Sequence, residues 1–348
     1  MKKRALIFGI TGQDGYYLSK LLLKKNYIVH GVKRKASTIY NYRTDELYEK
    51  YYLKRNPTFF LHYGDVTDPM NILELISKIK PNEIYNFAAQ SHVQVSFQLP
   101  DYSSNVAALG PLRILEVIKN YNKKIRFYQA STSEMYGNSK PPQSEKTPFA
   151  PNSPYAIAKL YAFWITKAYR DAYGIFASNG ILFNHESPLR GETFVTKKIT
   201  QFVAKEKMNK NNKAILFLGN LNSKRDWGHA RDYVEAIWKI LQQKKADDFV
   251  ISTGVSTSVR KFVELCFKSV GIEITWSGKG INETGRNKKT GKILIKISKK
   301  YIRPNEVSNL KGRANKAKKA LKWKPKTKIK DLISEMIHYD LNKLKLNE

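Results

Sequence analysis

Two side chains one helical turn apart give the sequence its first indication of proton-transfer chemistry. Tyr155 and Lys159 lie four residues apart in the segment SPYAIAK, and this spacing predicts that both project from one face of a helix. A lysine ammonium beside a phenol is expected to lower the phenol's pKa, so that a tyrosinate can take a hydroxyl proton. Such a pair also occurs by chance in many helices, as a packed tyrosine and a solvated lysine.

A carboxylate in the segment ASTSEMYG offers a second proton-transfer group. Glu134 follows a predicted strand, at the edge where open α/β sheets bind their ligands. A carboxylate in that place is costly unless it is paired or used. Glu134 therefore suits the removal of a proton next to a carbonyl and its later return, with Thr132 as a hydroxyl partner. A solvated loop glutamate is the alternative interpretation.

Closely spaced glycines follow the first predicted strand in the segment GITGQDG. Glycines at this spacing allow a tight turn and let the backbone approach a pyrophosphate, while the helix that follows directs amide donors and its positive dipole end toward that group. The strand–turn–helix context favours a dinucleotide site over an ordinary connecting turn. The expected contacts are Gly9, Thr11, Gly12, Gln13, Asp14 and Gly15.

The end of the second predicted strand discriminates between NAD and NADP. Enzymes that bind NAD place a carboxylate there for the ribose, whereas NADP enzymes place basic groups there. This chain has Lys33, Arg34, Lys35 and Ser37, and Asp45 is too far along to compete. Cationic and hydroxyl donors suit a 2′-phosphate, so we predict NADP, bound through Arg34, Lys35 and Ser37.

Further cofactor contacts are expected at the ends of the next strands. Asp65 can accept a hydrogen bond from the adenine amine, and small residues after the fourth strand let the cofactor lie close. Each segment is equally consistent with a simple strand end. The expected set is Asp65, Val66, Phe87, Ala88, Ala89, Gln90, Ser91 and Tyr102.

The elements that must position these residues alternate between strands and helices. This order is typical of stacked βαβ units, so we predict an α/β fold with a Rossmann-type doubly wound parallel sheet. The predicted strands are Ala5–Phe8, Tyr27–Val32, Phe59–Tyr63, Glu83–Ala88, Ile125–Ala130 and Phe176–Phe183. The helices between them include Tyr17–Lys25, Met70–Ile79, Tyr102–Tyr121 and Pro154–Tyr173.

The pattern becomes less regular after Asn184 and predicts a smaller mixed α/β lobe that binds substrate. We place the domains at 1–184 and 185–348 and expect the chain to cross back to the Rossmann domain within the second segment. The predicted elements are helices at Phe194–Lys207, Asp232–Gln243 and Ile329–Leu344 and a strand at Phe249–Ser252. The Gly-, Lys- and Asn-rich stretch Ser277–Lys292 predicts an exposed loop.

Composition limits the class of protein and its partners. One cysteine, Cys266, cannot form an intrachain disulfide, and no stretch approaches the about 20 apolar residues of a membrane helix. We therefore expect a cytoplasmic protein without a membrane partner. The formal charge of +33 makes nucleic-acid binding the rival class, but the lysine runs lack interleaved aromatic residues. They indicate solvated helix faces, so no specific nucleic-acid partner is expected, and no metal site either.

Longer blocks of the sequence resemble one known family. The runs GITGQDGYYL, ASTSEMYG, SPYAIAK, LFNHESPLRGETFVTKK, RDWGHARDYVEAIW and YIRPNEV together resemble the GDP-mannose 4,6-dehydratases, which are members of the extended short-chain dehydrogenases. The likeness covers nearly the whole chain. Ser133 and the blocks LFNHESP and RDWG separate it from the dTDP-glucose dehydratases.

The resemblance implies a redox-neutral dehydration. NADP would take hydride from C4 of the mannosyl ring of GDP-mannose, water would leave across C5 and C6, and the hydride would return to C6. Tyr155 would be the C4 base with Lys159 as its partner, Glu134 the C5 base and Thr132 the assisting hydroxyl. By the same resemblance, His185 and Arg190 would contact the cofactor. The positions implied to bind substrate are Ser91, Asn184, Lys198, Arg225, Arg303 and Glu306.

Three positions depart from the family pattern. Arg is usual where Leu189 and Lys35 stand, and Asp where Arg313 stands. Lys35 lies in the segment by which family tetramers reach a neighbour's cofactor site, so this departure bears on the tetramer. The resemblance implies a homo-oligomer, either a dimer or a tetramer. A sugar-nucleotide epimerase or reductase on the same scaffold is the alternative enzyme, since it would share Tyr155 and Lys159 without needing a carboxylate at position 134.

Overall fold

The computed structural model describes residues 2–35, 42–208, 213–302 and 305–346, and within them the chain forms a large parallel sheet and a smaller mixed one. The strands are β1 (Arg4–Phe8), β2 (Ile28–Lys33), β3 (Phe59–Tyr63), β4 (Glu83–Asn86), β5 (Arg126–Thr132), β6 (Ala177–Leu182), β7 (His185–Glu186), β8 (Leu216–Leu218), β9 (Lys224–Asp226), β10 (Gly228–His229), β11 (Phe249–Ile251), β12 (Ser256–Ser258), β13 (Ile274–Ser277), β14 (Thr284–Asn287) and β15 (Ile293–Ile297).

The helices lie mainly on the two faces of the large sheet or in the second half of the chain. They are α1 (Gln13–Lys24), α2 (Tyr42–Tyr51), α3 (Pro69–Ile79), α4 (Val93–Gln98), α5 (Pro100–Ser104), α6 (Gly110–Tyr121), α7 (Pro154–Tyr173), α8 (Val195–Met208), α9 (Ala230–Leu241), α10 (Val259–Ser269), α11 (Asn315–Ala320) and α12 (Ile329–Lys345).

The seven strands of the large sheet run in the order β11-β6-β5-β4-β1-β2-β3, and every neighbouring pair is parallel. Successive residues of β1 alternate between two hydrophobic clusters, with Ile7 in one and Leu6 and Phe8 in the other. A parallel sheet is expected to be covered on both faces in this way. The six predicted strands and the Rossmann-type fold are confirmed, and β11 adds a seventh strand.

The second half of the chain contributes both to the large sheet and to a separate lobe. Strand β11 pairs with β6, and Tyr233 and Ile237 of α9 pack in the cluster that covers one face of that sheet. The separate lobe has the sheet β13-β14-β15-β8, which shares a core with residues of α8, α10 and α12, such as Ile199, Phe262 and Ile333. The smaller mixed α/β lobe is therefore present.

Three local predictions need correction. The stretch Ser277–Lys292 is not wholly a loop, because β14 lies within it and pairs with both β13 and β15. The predicted helix Tyr102–Tyr121 is made of the end of α5, a π-helical turn at Asn105–Leu109, and α6. The long helix α10 has no counterpart among the predicted elements.

Two absences hold for the part of the chain that the structure describes. No helix there is long and apolar enough to cross a membrane. No group of three or more His, Cys, Asp or Glu side chains there is arranged to hold a metal ion.

Candidate active site

The glycine turn after β1 packs directly against the end of β4. Gly9 has a φ of +82°, and a Cβ on it would lie 2.9 Å from the Ala88 nitrogen. A Cβ on Gly15 would lie 2.7 Å from the Gly9 oxygen, so the start of α1 also approaches the turn too closely for a side chain. Gly12 N–H closes the turn on the Gly9 carbonyl at 3.1 Å. The turn thus has the backbone exposure and close approach that a pyrophosphate site needs.

Gln13 and Asp14 do not extend from this turn as free side chains. Gln13 Nε2 donates to the His185 carbonyl at 3.1 Å, and Asp14 Oδ2 lies 2.9 Å from His185 Nε2. Burial raises the pKa of Asp14, but the charge and hydrogen bond of His185 outweigh it and leave that pKa below its usual value. Burial lowers the pKa of His185, and Asp14 reverses this, so the pKa lies above its usual value. The pair thus ties α1 to β7.

The basic segment at the end of β2 contacts a tyrosine of α5. Arg34 is exposed, and its Nη1 donates to the hydroxyl of Tyr102, so two of the predicted cofactor contacts are brought together. Lys35 is also exposed, whereas Ser37 lies outside the described residues. Asp65 accepts from the backbone nitrogen and the hydroxyl of Thr67, both at 2.9 Å.

The segment after β4 lines the approach to the glycine turn. The residues Phe87, Ala88, Ala89 and Gln90 are half-buried, Ser91 is exposed, and Val66 is buried nearby against Gly110. Ala88 N–H donates to the side chain of Asn86 at 3.1 Å. Gln90 Nε2 donates to the His92 carbonyl at 3.2 Å, so its amide is partly engaged within the loop.

The tyrosine and lysine lie in the first two turns of α7, where burial dominates their electrostatics. Burial raises the pKa of Tyr155 to about 12, and a hydrogen bond with Thr132 acts in the opposite direction. Burial lowers the pKa of Lys159 to about 8, and Asp14 opposes that shift. Lys159 Nζ donates to the Ala130 carbonyl at 2.9 Å and lies 6.0 Å from the Tyr155 ring centre. The expected lowering of the phenol's pKa by Lys159 is therefore wrong for this structure.

Glu134 lies in a buried ion-pair cluster with two of the predicted substrate residues. Its Oε1 is 3.8 Å from Nε of Arg225, and Arg225 Nη2 is 3.3 Å from Oε1 of Glu306. Arg225 Nη1 donates to the Val307 carbonyl at 2.8 Å, which fixes the guanidinium. Thr132 Oγ1 accepts from Glu134 N–H at 3.2 Å and caps the short turn that carries the carboxylate. The fold thus brings Thr132, Glu134, Arg225 and Glu306 together.

The other predicted substrate and cofactor residues lie along β7 and α8. Asn184 has a buried Oδ1 with no hydrogen-bond partner. Arg190 Nε is 3.1 Å from Glu186, and its guanidinium lies 3.7 Å from the Phe194 ring centre. Lys198 Nζ lies near the surface and donates to the Phe217 carbonyl at 2.7 Å. Arg303 lies outside the described residues.

Comparison with known proteins identifies the family. The family model described as GDP-mannose 4,6 dehydratase matches residues 6–336. The chain is 53% identical over 348 residues to the GDP-mannose 4,6 dehydratase of Dictyostelium discoideum, covering 99% of this chain and 97% of that protein. It is 49% identical over 346 residues to the Homo sapiens protein of the same name, covering 99% and 92%. The chain belongs to the GDP-mannose 4,6-dehydratase family. The predicted family and the hydro-lyase class are therefore confirmed.

Solved structures share the fold of this GDP-mannose 4,6-dehydratase family member at much lower sequence identity. A dTDP-glucose 4,6-dehydratase from Bacillus anthracis in complex with NAD has a TM-score of 0.78 and 20% identity, covering 99% of this chain and 98% of that one. The structure of RMD from Pseudomonas aeruginosa complexed with NADPH has a TM-score of 0.75 and 19% identity, covering 98% and 100%. These likenesses support the fold alone.

The departures from the GDP-mannose 4,6-dehydratase pattern have different surroundings. Leu189 is buried in the main hydrophobic cluster, and its carbonyl accepts from Arg43 Nη2 at 2.8 Å. Arg43 Nη1 also donates to the Thr11 carbonyl at 2.8 Å, so it bridges the glycine turn and the segment after β7. Arg313 is exposed. Sequence reasoning missed Arg43, which has no distinguishing pattern.

Sequence reasoning also missed two buried amides near Lys159 of this GDP-mannose 4,6-dehydratase family member. Asn86 and Gln129 lie on β4 and β5 and bond to each other at 2.9 Å. A signal was available, because a glutamine inside the predicted apolar strand Ile125–Ala130 requires a hydrogen-bond partner if it is buried.

Proposed function

We propose that this chain converts GDP-D-mannose to GDP-4-dehydro-6-deoxy-D-mannose and water by internal hydride transfer through bound NADP. The observation that carries the proposal is the position of Glu134, a buried carboxylate beside the fixed Arg225 guanidinium, at the end of the strand that also carries Thr132. A tyrosine that deprotonates a sugar hydroxyl would be enough for an epimerase, whereas dehydration also needs a base that removes a proton from carbon.

The glycine turn and the end of β2 fit a nicotinamide dinucleotide. The close packing of Gly9 against Ala88, without an intervening side chain, suits a pyrophosphate. The exposed Arg34 and Lys35 suit the 2′-phosphate of NADP better than the unphosphorylated ribose of NAD. The proposed contacts also include Ser37, Asp65, Tyr102, His185 and Arg190. When bound, the nicotinamide accepts hydride from C4 of the sugar and returns it at C6.

In the first step Tyr155 takes the proton of the C4 hydroxyl. Thr132 acts on Tyr155 against the effect of burial, which supports a role for both hydroxyls at the C4 oxygen of the sugar. Ionising this phenol is unfavourable at neutral pH, because burial raises the pKa of Tyr155 to about 12. We propose Lys159 as the partner of Tyr155 in this step, with its Nζ held by the Ala130 carbonyl and 6.0 Å from the Tyr155 ring centre.

In the second step Glu134 removes the C5 proton, which is acidic once C4 is a ketone. The protonated Glu134 then gives the same proton to the C6 oxygen, which leaves as water. Arg225 Nε lies 3.8 Å from Glu134 Oε1, and this contact helps to position the carboxylate. When hydride returns at C6, a proton that exchanges with solvent is added at C5, so the ring regains both hydrogens and no net oxidation or reduction results.

The nucleotide would be held by the residues around Arg225. Fixed cations suit a pyrophosphate, and a carboxylate suits the guanine edge or ribose. We propose Ser91, Asn184, Lys198, Arg225, Arg303 and Glu306 for this role; the unpartnered Oδ1 of Asn184 supports its part in it. The product would feed the synthesis of GDP-deoxyhexoses such as GDP-fucose or GDP-rhamnose, and the chain would act in the cytoplasm as a homo-oligomer.

A product assay tests the proposal. The full chain with NADP is incubated with GDP-mannose in deuterated water, and the product is analysed by mass spectrometry and NMR. We expect loss of one water, one deuterium at C5, a 6-deoxy sugar and no net change in NADPH. UDP-glucose and dTDP-glucose serve as matched substrates that should not turn over. A product that keeps its 6-hydroxyl would support an epimerase or reductase instead.

A further inference from the structure

Three amide side chains lie side by side across three neighbouring strands of the large sheet. Asn86 on β4 is in register with Gln129 on β5, which is in register with Asn179 on β6. Asn86 is 1% exposed, and Gln129 and Asn179 are 0% exposed. Amides in the middle of a buried parallel sheet are costly unless their hydrogen bonds are satisfied, so their partners show what they stabilise.

Two of the amides form a continuous chain of hydrogen bonds. Ala88 N–H donates to Asn86 Oδ1 at 3.1 Å, and Asn86 Nδ2 donates to Gln129 Oε1 at 2.9 Å. Gln129 Nε2 donates to the Ala130 carbonyl at 3.0 Å, and this same oxygen accepts from Lys159 Nζ at 2.9 Å. The first three links run in one direction, from the Ala88 amide to the Ala130 carbonyl, and such aligned bonds can strengthen one another. Lys159 donates to the same carbonyl from the opposite side.

Both ends of this chain belong to the active site. One end is the backbone of Ala88, against which Gly9 packs so closely that a Cβ would lie 2.9 Å away. The other end is the ammonium of Lys159, whose four-carbon side chain has many rotamers and needs a fixed acceptor to hold one of them.

We propose that Gln129, acting with Asn86, is a positioning residue for hydride transfer. Gln129 fixes the carbonyl that holds Lys159, and through Asn86 it ties that carbonyl to the strand end on which the cofactor lies. The inference rests on the proposed function. Reacting groups displaced by about 1 Å lose roughly 100-fold in rate, so a fixed distance between the cofactor's support and the lysine has a large effect on the chemistry.

Ser131, which lies on the same strand as Gln129 and bonds to the third amide, provides a matched control. Asn179 turns away from Lys159: its Nδ2 donates to Asp248 at 2.9 Å, and its Oδ1 accepts from Ser131 Oγ at 3.1 Å. Ser131→Ala therefore removes one buried hydrogen bond from β5 without interrupting the chain to Lys159.

Gln129→Met, which keeps the side-chain length and removes the hydrogen bonds, is compared with Ser131→Ala in the full chain with NADP and GDP-mannose. We expect Gln129→Met to lower kcat by roughly 10–100-fold with KM within about twofold. Hydride transfer should become rate-limiting, so deuterium at C4 of the substrate should produce a larger isotope effect on kcat. Ser131→Ala should keep kcat within about twofold. Asn86→Leu added to Gln129→Met should cause little further loss, because residues that act as one unit are not additive.

A second measurement requires no turnover. Without cofactor, Gln129→Met should speed hydrogen exchange at the Ala88 amide by roughly 10-fold, because Asn86 loses the acceptor that orients it, while Ser131→Ala should not. If Gln129→Met does not fold, Gln129→Asn, which shortens the amide by one methylene, takes its place. Normal kcat, isotope effect and Ala88 exchange in a folded variant would overturn the inference. Absence of dehydration by the unmodified chain would instead overturn the proposed function.

Discussion

Arg225 Nε lies 3.8 Å from Oε1 of Glu134, and both side chains are buried. The guanidinium is held in turn by the Val307 carbonyl and by Glu306, so it cannot follow the carboxylate if the latter moves. A base that must ionise, take a proton from carbon and release it again therefore has a fixed counter-charge. Catalysis by positioned charges of this kind needs no rearrangement during the reaction.

Glu134→Gln should separate the two chemical steps. The variant keeps the shape of the side chain and leaves Tyr155 and Lys159 intact, so oxidation at C4 should continue and reduced cofactor should accumulate at 340 nm. Dehydration should fall by roughly 10²–10⁴-fold, as is typical for loss of a general base. Glu283→Gln is the control, since Glu283 also pairs with an arginine, Arg260, but outside the site. Dehydration at the normal rate by Glu134→Gln would exclude this mechanism.

Arg34→Asp should weaken NADP binding and reduce the preference over NAD. The exposed guanidinium would lose a charge-assisted bond to the 2′-phosphate, at a cost on the order of 1–3 kcal/mol. Isothermal titration with both cofactors measures the change. Arg55→Asp, which makes the same charge change at another exposed position, should leave the ratio of the two dissociation constants unaltered. Equal affinity of the unmodified chain for NAD and NADP would contradict the assignment.

The stability contributed by the Asp14–His185 pair should depend on pH. The pKa of His185 is raised above 6.5, so the imidazolium's contribution is fully present below that value and is lost as pH rises through the folded-state pKa. The pKa of Asp14 is lowered below 3.8, so the carboxylate stays charged throughout this window. A double-mutant cycle of Asp14→Asn and His185→Gln in urea should give a coupling of roughly 0.5–3 kcal/mol at pH 6 and less at pH 9.

The exposed pair Lys288–Glu273 is the control for that cycle, with side chains 57% and 71% exposed. Its coupling should be below about 1 kcal/mol and equal at the two pH values, because the pair is exposed to solvent and contains no imidazole. A coupling for Asp14 and His185 that grows toward pH 9 would show that the imidazolium does not stabilise the fold.

The buried pair Lys197–Asp340 should be replaceable as a unit but not singly. Nζ and Oδ1 are 2.5 Å apart between α8 and α12, and burial lowers the pKa of Lys197 and raises that of Asp340. Lys197→Met leaves a carboxylate buried without its cation and should cost about 3–5 kcal/mol in urea unfolding. Adding Asp340→Leu should recover most of that loss. Lys261→Met, which removes an exposed lysine paired with Glu264, should change stability by less than about 0.5 kcal/mol.

The elements that sequence predicted well are those fixed by local spacing. Apolar runs separated by helical patterns predicted six strands of the large sheet, because its central strands, such as β1, β4 and β6, are buried on both faces. The glycines predicted the tight turn, since backbone geometry at Gly9 excludes a side chain whatever surrounds it. Tyr155 and Lys159 share a helix face because helical periodicity alone sets their relation.

Tertiary structure decided the features that depend on residues distant in sequence. The stretch Ser277–Lys292 has a loop-like composition, yet β14 forms there because β13 and β15 pair on either side, and a Cβ on Gly285 would lie 2.8 Å from Ile295. The placement of β11 beside β6 likewise needs a partner strand that the local pattern does not specify.

The electrostatics of the site also required the fold. A lysine four residues from a tyrosine predicts a lowered phenol pKa. The sequence does not show that burial raises the pKa of Tyr155 to about 12, nor that the carboxylate of Asp14 acts on Lys159. His185 is 171 positions from Asp14 along the chain. Residue types and spacing therefore determined which groups are available for the chemistry. Their desolvation and their charged partners were set only by packing, because both are sums over neighbours that the whole chain brings together.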